Sequence, residues 1–316
     1  MITIREVEAA ARVLAGNIHR SPVLTSRTLD ERAGNHLFLK AENFQRIGAF
    51  KIRGAYAKLS SLSAADRGRG VIAHSSGNHA QGVALASRLF GVRATVVMPE
   101  NSVPAKVAAT KAYGAEVVLC ADSTDDRERV TAELMTRHGY VLIHPYDDAH
   151  LITGQGTAAM ELCEDAGPLD VLYVPIGGGG LISGSAVAAK ALCPNIRVIG
   201  VETEGANDCF QSFRTGRIVK IPRADTIADG MRTLSVGKLN FEIIRRYVDD
   251  VITIRDDEAL AMMRFFFERM KVVVEPTGAV APAAALANAA HFSGKRVGAI
   301  ISGGNVDPAV MALALK

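Results

Sequence analysis

The chain has 316 residues, of which 48% are apolar and 22% are charged, and its formal net charge is +3. This length allows one large domain or two modest ones with a sizeable core, and the composition is that of a folded chain. Because the sequence has no Lys/Arg block and no apolar run of the roughly 18 residues that span a bilayer, nucleic-acid and membrane binding are not expected. The amino terminus is unlike a secretory signal. We therefore expect a cytoplasmic protein whose four cysteines are free thiols, mostly buried.

Short β-branched runs alternate with helix-length patterns through most of the sequence. In chain order, the predicted strands are 37–40, 71–73, 94–98, 116–119, 141–144, 171–176, 197–202, 251–254 and 296–301. The predicted helices are 78–90, 104–112, 124–138, 151–165, 181–192 and 256–270. Such alternation indicates an α/β protein with mostly parallel sheets that are covered by helices on both faces. A break near residue 147 is a candidate domain boundary.

The loop after the predicted strand 171–176 contains four consecutive glycines, Gly177, Gly178, Gly179 and Gly180. Loops at the carboxyl ends of parallel strands bind ligands. Without Cβ atoms, several N–H groups can turn toward one anion, and the following helix adds its positive end. A tight turn without a ligand is the alternative, but such a turn needs only one or two glycines. Dinucleotide, P-loop and nucleophile-elbow motifs do not fit, so a phosphorylated metabolite or cofactor is expected.

A lysine at a predicted helix start and a crowded polar turn are two further candidate features. Lys51 stands between Phe50 and Ile52, and apolar surroundings would lower its pKa and favour Schiff-base chemistry, although an isolated lysine is usually a surface charge. The segment 75–79 places two hydroxyls, an amide and an imidazole at another helix start. A helix cap needs one such side chain, so the surplus suits a bound carboxylate.

Four motifs in this order resemble those of fold-type II pyridoxal 5′-phosphate (PLP) enzymes, in particular the serine/threonine dehydratase and serine racemase group. They are Phe-Lys-Ile-Arg-Gly-Ala, Ser-Ser-Gly-Asn-His, the tetraglycine loop and Ser-Gly-Gly-Asn. The resemblance covers almost the whole chain. It implies a fold like that of the tryptophan synthase β subunit, with two α/β domains, each with a mostly parallel sheet, and the cofactor in the cleft between them. Residues 1–60 with 148–316 would form the large PLP-binding domain, residues 61–147 the small one, and the chain would form a homodimer.

The resemblance also implies a role for each matched residue. Lys51 would hold PLP as an imine and act as base and acid, and Ser76 would reprotonate the α-carbon from the opposite face. The cofactor-binding residues would be Phe50, Lys51, Asn78, Gly177, Gly178, Gly179, Gly180, Leu181, Glu275 and Ser302. The substrate would be held by Ser75, Ser76, Asn78, His79, Gly230 and Arg127. A serine at the pyridine nitrogen makes the ring a weaker electron sink than an aspartate would, which favours prompt loss of a β-hydroxyl.

The activity implied is that of an ammonia-lyase, which converts L-threonine or L-serine to a 2-oxo acid and ammonia, with serine racemisation as a side reaction. Arg127 could reach a second carboxylate, so threo-3-hydroxyaspartate stays open as a substrate; a solvated helix charge is the other interpretation. Serine racemisation as the main activity is a further alternative. A β-replacement synthase is disfavoured because Ile52 stands where that group usually has an aspartate. The intact motifs argue against a non-enzymatic PLP-binding protein.

A possible metal site follows the predicted strand 197–202. Glu202, Asp208 and the carbonyl of Ala206 offer oxygen ligands, which suit Mg²⁺, Mn²⁺ or Ca²⁺. From spacing alone this segment is an acidic loop. The resemblance to serine racemases implies a structural or activating divalent cation at these three residues.

Overall fold

The computed structural model describes residues 2–316. Its strands are β1 (Val23–Leu24), β2 (His36–Ala41), β3 (Val71–His74), β4 (Ala94–Pro99), β5 (Glu116–Cys120), β6 (Val141–Leu142), β7 (Val171–Pro175), β8 (Arg197–Thr203), β9 (Asp250–Ile254) and β10 (Arg296–Ile301). Its α-helices are α1 (Ile4–Leu14), α2 (Arg27–Ala33), α3 (Lys51–Ser61), α4 (Ala64–Arg69), α5 (Asn78–Phe90), α6 (Pro104–Ala112), α7 (Thr124–His138), α8 (Ala149–Ala166), α9 (Gly180–Leu192), α10 (Asp208–Thr215), α11 (Lys238–Tyr247), α12 (Asp256–Phe265), α13 (Pro276–Ala287) and α14 (Pro308–Ala314).

The strands form two separate sheets. One has the order β1–β2–β10–β7–β8–β9, in which β1 pairs antiparallel with β2 and the other pairs are parallel. The other has the order β5–β4–β3–β6 and is parallel throughout the described residues. The predicted α/β class with two parallel-sheet domains is therefore confirmed. The domain bounds at 60/61 and 147/148 stay a prediction.

Side chains on both faces of the six-stranded sheet are buried, as expected for parallel strands between helices. Along β7, Val171 and Tyr173 join one hydrophobic cluster, whereas Leu172 and Val174 join another on the opposite face. Within the described chain, all four cysteines are free and buried, as predicted. No helix among residues 2–316 is long and apolar enough to cross a membrane.

The predicted elements differ from the structure in three instructive ways. Strand β6 ends at Leu142 and not at residue 144, so His144 lies in a loop. The predicted helix 256–270 ends at Phe265 and continues as a π-helical turn, Phe266–Met270. Helix α13 was not predicted because ten of its twelve residues are buried, and a helix that is apolar all round lacks the 3.6-residue pattern.

Candidate active site

Lys51 is the first residue of α3, and its amine lies against main-chain atoms rather than against an acid. Its Nζ donates a hydrogen bond to the carbonyl of Pro145 at 2.8 Å and lies 5.2 Å from the ring centroid of Phe50. The absence of a side chain at Gly82 lets α5 approach, because a Cβ there would lie 3.2 Å from the carbonyl carbon of Lys51. Burial lowers the pKa of the Lys51 amine to about 8. This lysine is suited to nucleophilic and proton-transfer chemistry.

A buried ionic network anchors the helix that begins with Lys51. The Arg53 guanidinium is fully buried and donates to both carboxylate oxygens of Glu42, at 2.7 and 2.9 Å. It also donates to both oxygens of Glu161, at 2.7 and 2.8 Å, and Lys40 pairs with the same carboxylate. Two cations thus face two anions, so the network orients α3 against β2 and α8 without adding net charge beside Lys51.

The glycine loop joins β7 to α9 and has little room for side chains. A Cβ on Gly177 would lie 2.7 Å from the carbonyl oxygen of Gly230, and one on Gly178 would lie 2.1 Å from Cγ of Tyr146. Gly179 has φ +95°, in the left-handed region that favours glycine. The first-turn N–H groups of α9, which has 13 residues, lack intrahelical acceptors. The loop can therefore bind a phosphate with main-chain donors.

Asn240, on α11, fixes the glycine loop from the side. Its Nδ2 donates to the carbonyls of Gly178 at 2.9 Å and Tyr146 at 3.0 Å, and the N–H of Gly237 also donates to Gly178 at 3.1 Å. Sequence analysis did not identify Asn240, because nothing around it in the chain marks it as an anchor for residues 62 and 94 positions away.

The segment from Ser75 to His79 forms the turn from β3 into α5. Ser75 and Ser76 are partly buried, and α5 presents its first-turn N–H groups at this end. The imidazole of His79 is buried, its Nε2 lies 3.0 Å from the carbonyl of Ile143, and burial lowers its pKa well below the usual value. The ring is therefore neutral and fixes α5, so the group that His79 offers to a carboxylate is its main-chain N–H.

Asn78 connects this turn with the far side of the cleft. Its Nδ2 donates to Oε1 of Glu275 at 2.7 Å, and its Oδ1 accepts from Nδ2 of Asn305 at 2.8 Å. The amide nitrogen retains a second proton for another acceptor. Asn305 also donates to the carbonyl of Ile47 at 2.7 Å, in the loop that leads to Lys51.

Two buried polar atoms in the cleft have no hydrogen-bond partner among the described residues, Oγ of Ser302 and Oε2 of Glu275. Burial, followed by the charge of nearby Asp229, raises the pKa of Glu275 to about 7, and Lys106 opposes the shift. Buried polar groups without partners are costly, so a polar ligand is expected to complete this site. These atoms, the lysine and the glycine loop fit PLP: an amine for its aldehyde, main-chain donors for its phosphate, and polar side chains for its ring.

The remaining predicted residues border the same cleft. Phe50 packs against the hydrophobic cluster that contains Leu181, Leu181 is buried in the first turn of α9, and the N–H of Gly230 donates to Thr277 Oγ1 at 3.1 Å. Arg127 lies on α7, which packs against β3, and its charge is one of the causes, after burial, that lower the pKa of His74 to about 4. His74 directly precedes Ser75, so α7 packs against the strand that leads into the candidate carboxylate turn.

The candidate metal residues follow β8. Glu202, Ala206 and Asp208 are buried, and the Glu202 carboxylate accepts from the N–H groups of Cys209 at 3.1 Å and Phe210 at 2.7 Å. Neither carboxyl oxygen of Asp208 has a hydrogen-bond partner within the described chain. Burial, followed by the charge of Asp208, raises the pKa of Glu202 well above its usual value, and burial raises the pKa of Asp208 to about 7. A divalent cation would relieve both costs.

Comparisons with known proteins identify the family of this chain. The family model described as pyridoxal-phosphate dependent enzyme matches residues 14–303. L-threo-3-hydroxyaspartate ammonia-lyase of Saccharomyces cerevisiae is 51% identical over 305 residues, which cover 96% of this chain and 94% of that protein. Serine racemase of Schizosaccharomyces pombe is 48% identical over 305 residues, with 96% and 94% covered. The crystal structure of serine racemase from Dictyostelium discoideum has a TM-score of 0.92 and 42% identity, and covers 97% of this chain and 99% of that one.

The fold and the site together define an α/β enzyme that binds a phosphorylated cofactor. The chain belongs to the pyridoxal-phosphate dependent enzymes, in the fold-type II group that contains ammonia-lyases and serine racemases. The resemblance drawn from the four sequence motifs is confirmed, and so is the class of enzyme.

Proposed function

We propose that this chain is an ammonia-lyase that removes water and then ammonia from a small β-hydroxy amino acid, with Lys51 as the residue that carries PLP. The observation that carries the proposal is the amine of Lys51, whose pKa is lowered by burial to about 8 and which donates to a main-chain carbonyl at 2.8 Å. When bound, PLP would supply an electron sink that eases removal of the substrate α-proton.

Different main-chain and side-chain groups around the cleft would bind the cofactor, bind the substrate and transfer protons. The N–H groups of Gly177–Gly180 and Leu181 would hold the cofactor phosphate, Asn78 and Ser302 would contact its ring, and Phe50 and Glu275 would line the ring pocket. Ser75, Ser76, Gly230 and the first turn of α5 would hold the substrate. An amine with a pKa near 8 can both take and return a proton near neutral pH, so Lys51 would act as base and then as acid.

The location of the cofactor can be tested by chemical trapping. Borohydride reduction of the PLP-loaded protein, followed by peptide mapping, should label Lys51, and Lys51→Ala should abolish the label. Lys111→Ala provides the matched control, because Lys111 is exposed in the last turn of α6 and should leave the label in place. Labelling of another lysine, or of none, would contradict the proposal.

L-threo-3-hydroxyaspartate is our preferred substrate, ahead of L-threonine and L-serine. The yeast relative at 51% identity is named for that activity, and Arg127 lies on α7, which packs against the strand that leads into the candidate carboxylate turn. An arginine can bind the additional carboxylate through a pair of charge-assisted hydrogen bonds. L-threonine and L-serine lack this carboxylate, so Arg127 would not contribute to their binding in this way.

A substrate panel with Arg127→Met tests this preference. We expect kcat/KM for hydroxyaspartate to fall by about 10- to 100-fold, the value of one charge-assisted pair, while kcat/KM for L-serine changes little. Arg127→Lys keeps the charge but not the planar guanidinium, so its kcat/KM for hydroxyaspartate should lie between those of the wild type and Arg127→Met. An equal loss on all substrates would show that Arg127 is structural.

We also propose that Ser76 reprotonates the α-carbon in a minor racemisation reaction. Ser76 is partly buried in the turn before α5, where its hydroxyl can reach a substrate held by that turn. The ratio of D-serine to 2-oxo acid formed from L-serine should drop in Ser76→Ala, whereas Ser75→Ala, which also removes a substrate contact on this turn, should leave the ratio unchanged. Unchanged D-serine formation would reject this role, and D-serine in excess over 2-oxo acid would make racemisation the main activity.

A divalent cation, Mg²⁺ or Mn²⁺ with Ca²⁺ as a further possibility, would bind Glu202, Asp208 and the carbonyl of Ala206. The two buried carboxyl groups and the unpartnered oxygens of Asp208 support this proposal. Chelation should lower the melting temperature and activity, and Mg²⁺ should restore both. Asp208→Asn should make the protein indifferent to the chelator. A chelator effect that persists in Asp208→Asn would place the cation elsewhere.

Homodimer assembly and a cytoplasmic location stay predictions. Sedimentation analysis of the purified protein tests the first, and cell fractionation tests the second.

A further inference from the structure

His144 lies in the loop after β6, and one of its ring atoms closes a tight turn. Its Nδ1 lies 3.2 Å from the main-chain nitrogen of Tyr146 and 2.8 Å from that of Asp147. Both main-chain groups are donors, so Nδ1 must be the acceptor and the neutral ring carries its proton on Nε2. The ring also contacts the Tyr146 ring edge-on, with centroids 4.7 Å apart.

Each residue of this turn makes a contact with a different part of the cleft. The carbonyl of Pro145 accepts from Lys51 Nζ at 2.8 Å. The ring of Tyr146 covers Gly178, in the glycine loop. The carboxylate of Asp147 accepts from the N–H groups that begin α11, including that of Leu239 at 3.0 Å. The shape of the turn therefore determines where the acceptor for the lysine amine lies.

We propose that His144 is a positioning residue for Lys51: its Nδ1 holds the turn in the shape that places the Pro145 carbonyl against the lysine amine. The inference rests on the proposed role of Lys51 as the amine that carries PLP. A carbonyl orients this amine with a dipole, whereas a carboxylate would stabilise its protonated form. Without the Nδ1 acceptor, the two partly buried N–H groups would lose their partner, and the turn would open to recover hydrogen bonds with water.

Several charged or titratable groups surround His144, and each would influence the protonation of the His144 imidazole. They are Lys51 from α3, His74 from β3, His79 from α5, Glu128 from α7, and Asp147 and Asp148 from its own loop. Burial is the main cause that lowers the pKa of His144, and the two aspartates oppose it. The test therefore follows the lysine rather than the histidine.

Three substitutions separate the acceptor from the bulk of the ring. His144→Asn places an amide oxygen the same number of bonds from Cβ as Nδ1. His144→Gln places its polar atoms farther out, near the position of Nε2, and His144→Phe keeps a ring without an acceptor. Each apoprotein would be mixed with PLP, and the growth of the absorbance band of lysine-bound cofactor would be followed from neutral to alkaline pH.

We expect His144→Asn to retain the wild-type rate and pH profile. In His144→Gln and His144→Phe, PLP capture should slow by about tenfold, the factor for losing one hydrogen bond that is shielded from water. The midpoint of the profile should also move to higher pH, toward that of an ordinary lysine, because water would reach the amine. Thermal unfolding of each apoprotein reports stability separately, and if His144→Phe does not fold, His144→Gln carries the comparison.

Wild-type capture rates and pH profiles in His144→Gln and His144→Phe, with only the melting temperature lowered, would overturn the inference. So would a loss in His144→Asn as large as that in His144→Phe, because the acceptor would then be irrelevant. If the wild-type chain itself captures no PLP on Lys51, the proposed function fails first, and the inference falls with it.

Discussion

The chemistry of Lys51 arises from its surroundings rather than from its own structure. Lysine has an ordinary pKa of 10.5, and burial lowers it to about 8. The nearest cationic side chain in sequence, Arg53, is neutralised by Glu42 and Glu161. A charged amine is therefore penalised by loss of water, and among the described residues no carboxylate offsets this penalty. The site keeps a reactive amine at a cost to the stability of the apoprotein.

That cost predicts a pH dependence of stability. Between pH 8 and 10.5, the unfolded chain holds the Lys51 proton and the folded chain releases it, so the free energy of unfolding should rise with pH across this interval. The full gain is on the order of 3 kcal/mol. Urea unfolding of apoprotein at several pH values, wild type against Lys51→Met, isolates this contribution. Parallel pH profiles for the two proteins would show that the amine has an ordinary pKa.

At the scale of elements, strand ends and helix starts build the site. The segment 177–180 connects β7 to α9, and 75–79 connects β3 to α5. Each connection brings a helix amino terminus to the cleft, where main-chain N–H groups and the helix dipole favour anions. Gly178 packs closely under the ring of Tyr146. The glycine loop therefore needs a residue without a side chain at this position to contact the turn around His144.

Gly178→Ala tests this packing. The added Cβ would lie 2.1 Å from the Tyr146 ring, so the ring or the loop must move. Overpacking of this kind costs about 1–3 kcal/mol, and we expect a lower melting temperature and weaker PLP binding by about tenfold or more. Gly68→Ala is the matched control, because no atom lies within 4 Å of its Cβ position. PLP titration by absorbance measures the difference, and equal affinities would contradict the packing argument.

At the scale of the whole molecule, polar contacts join elements that flank the two sheets. Asn78, after β3, bonds to Glu275, before α13, at 2.7 Å. Lys106, on α6, forms an ion pair with Asp229, which adjoins the candidate substrate residue Gly230. The Lys106 side chain is 11% exposed and that of Asp229 is 38% exposed, so solvent screens this pair from the Asp229 side.

A charge exchange tests whether the Lys106–Asp229 pair holds the cleft closed. Lys106→Asp and Asp229→Lys should each raise KM by about tenfold, because each leaves two like charges in contact, whereas the double variant should recover most of the loss. Steady-state kinetics on the best substrate give the coupling. Additive effects of the two substitutions would show that the pair does not act as a link between the domains.

The sequence by itself determined the α/β class, the glycine loop, the lysine and the polar turn. Each of these is carried by consecutive residues, so local geometry and the order of motifs are enough to recognise it. Helix α13 was not predicted, because complete burial removed its periodic pattern.

Only the tertiary structure decided which groups surround Lys51. Its acceptor is the carbonyl of Pro145, 94 positions along the chain, and the acceptor atom that shapes that turn belongs to His144. Every residue has a main-chain carbonyl, so no residue type marks this one in advance. The contact exists because the end of β6 and the start of α3 meet in space, and that meeting depends on the packing of the two sheets.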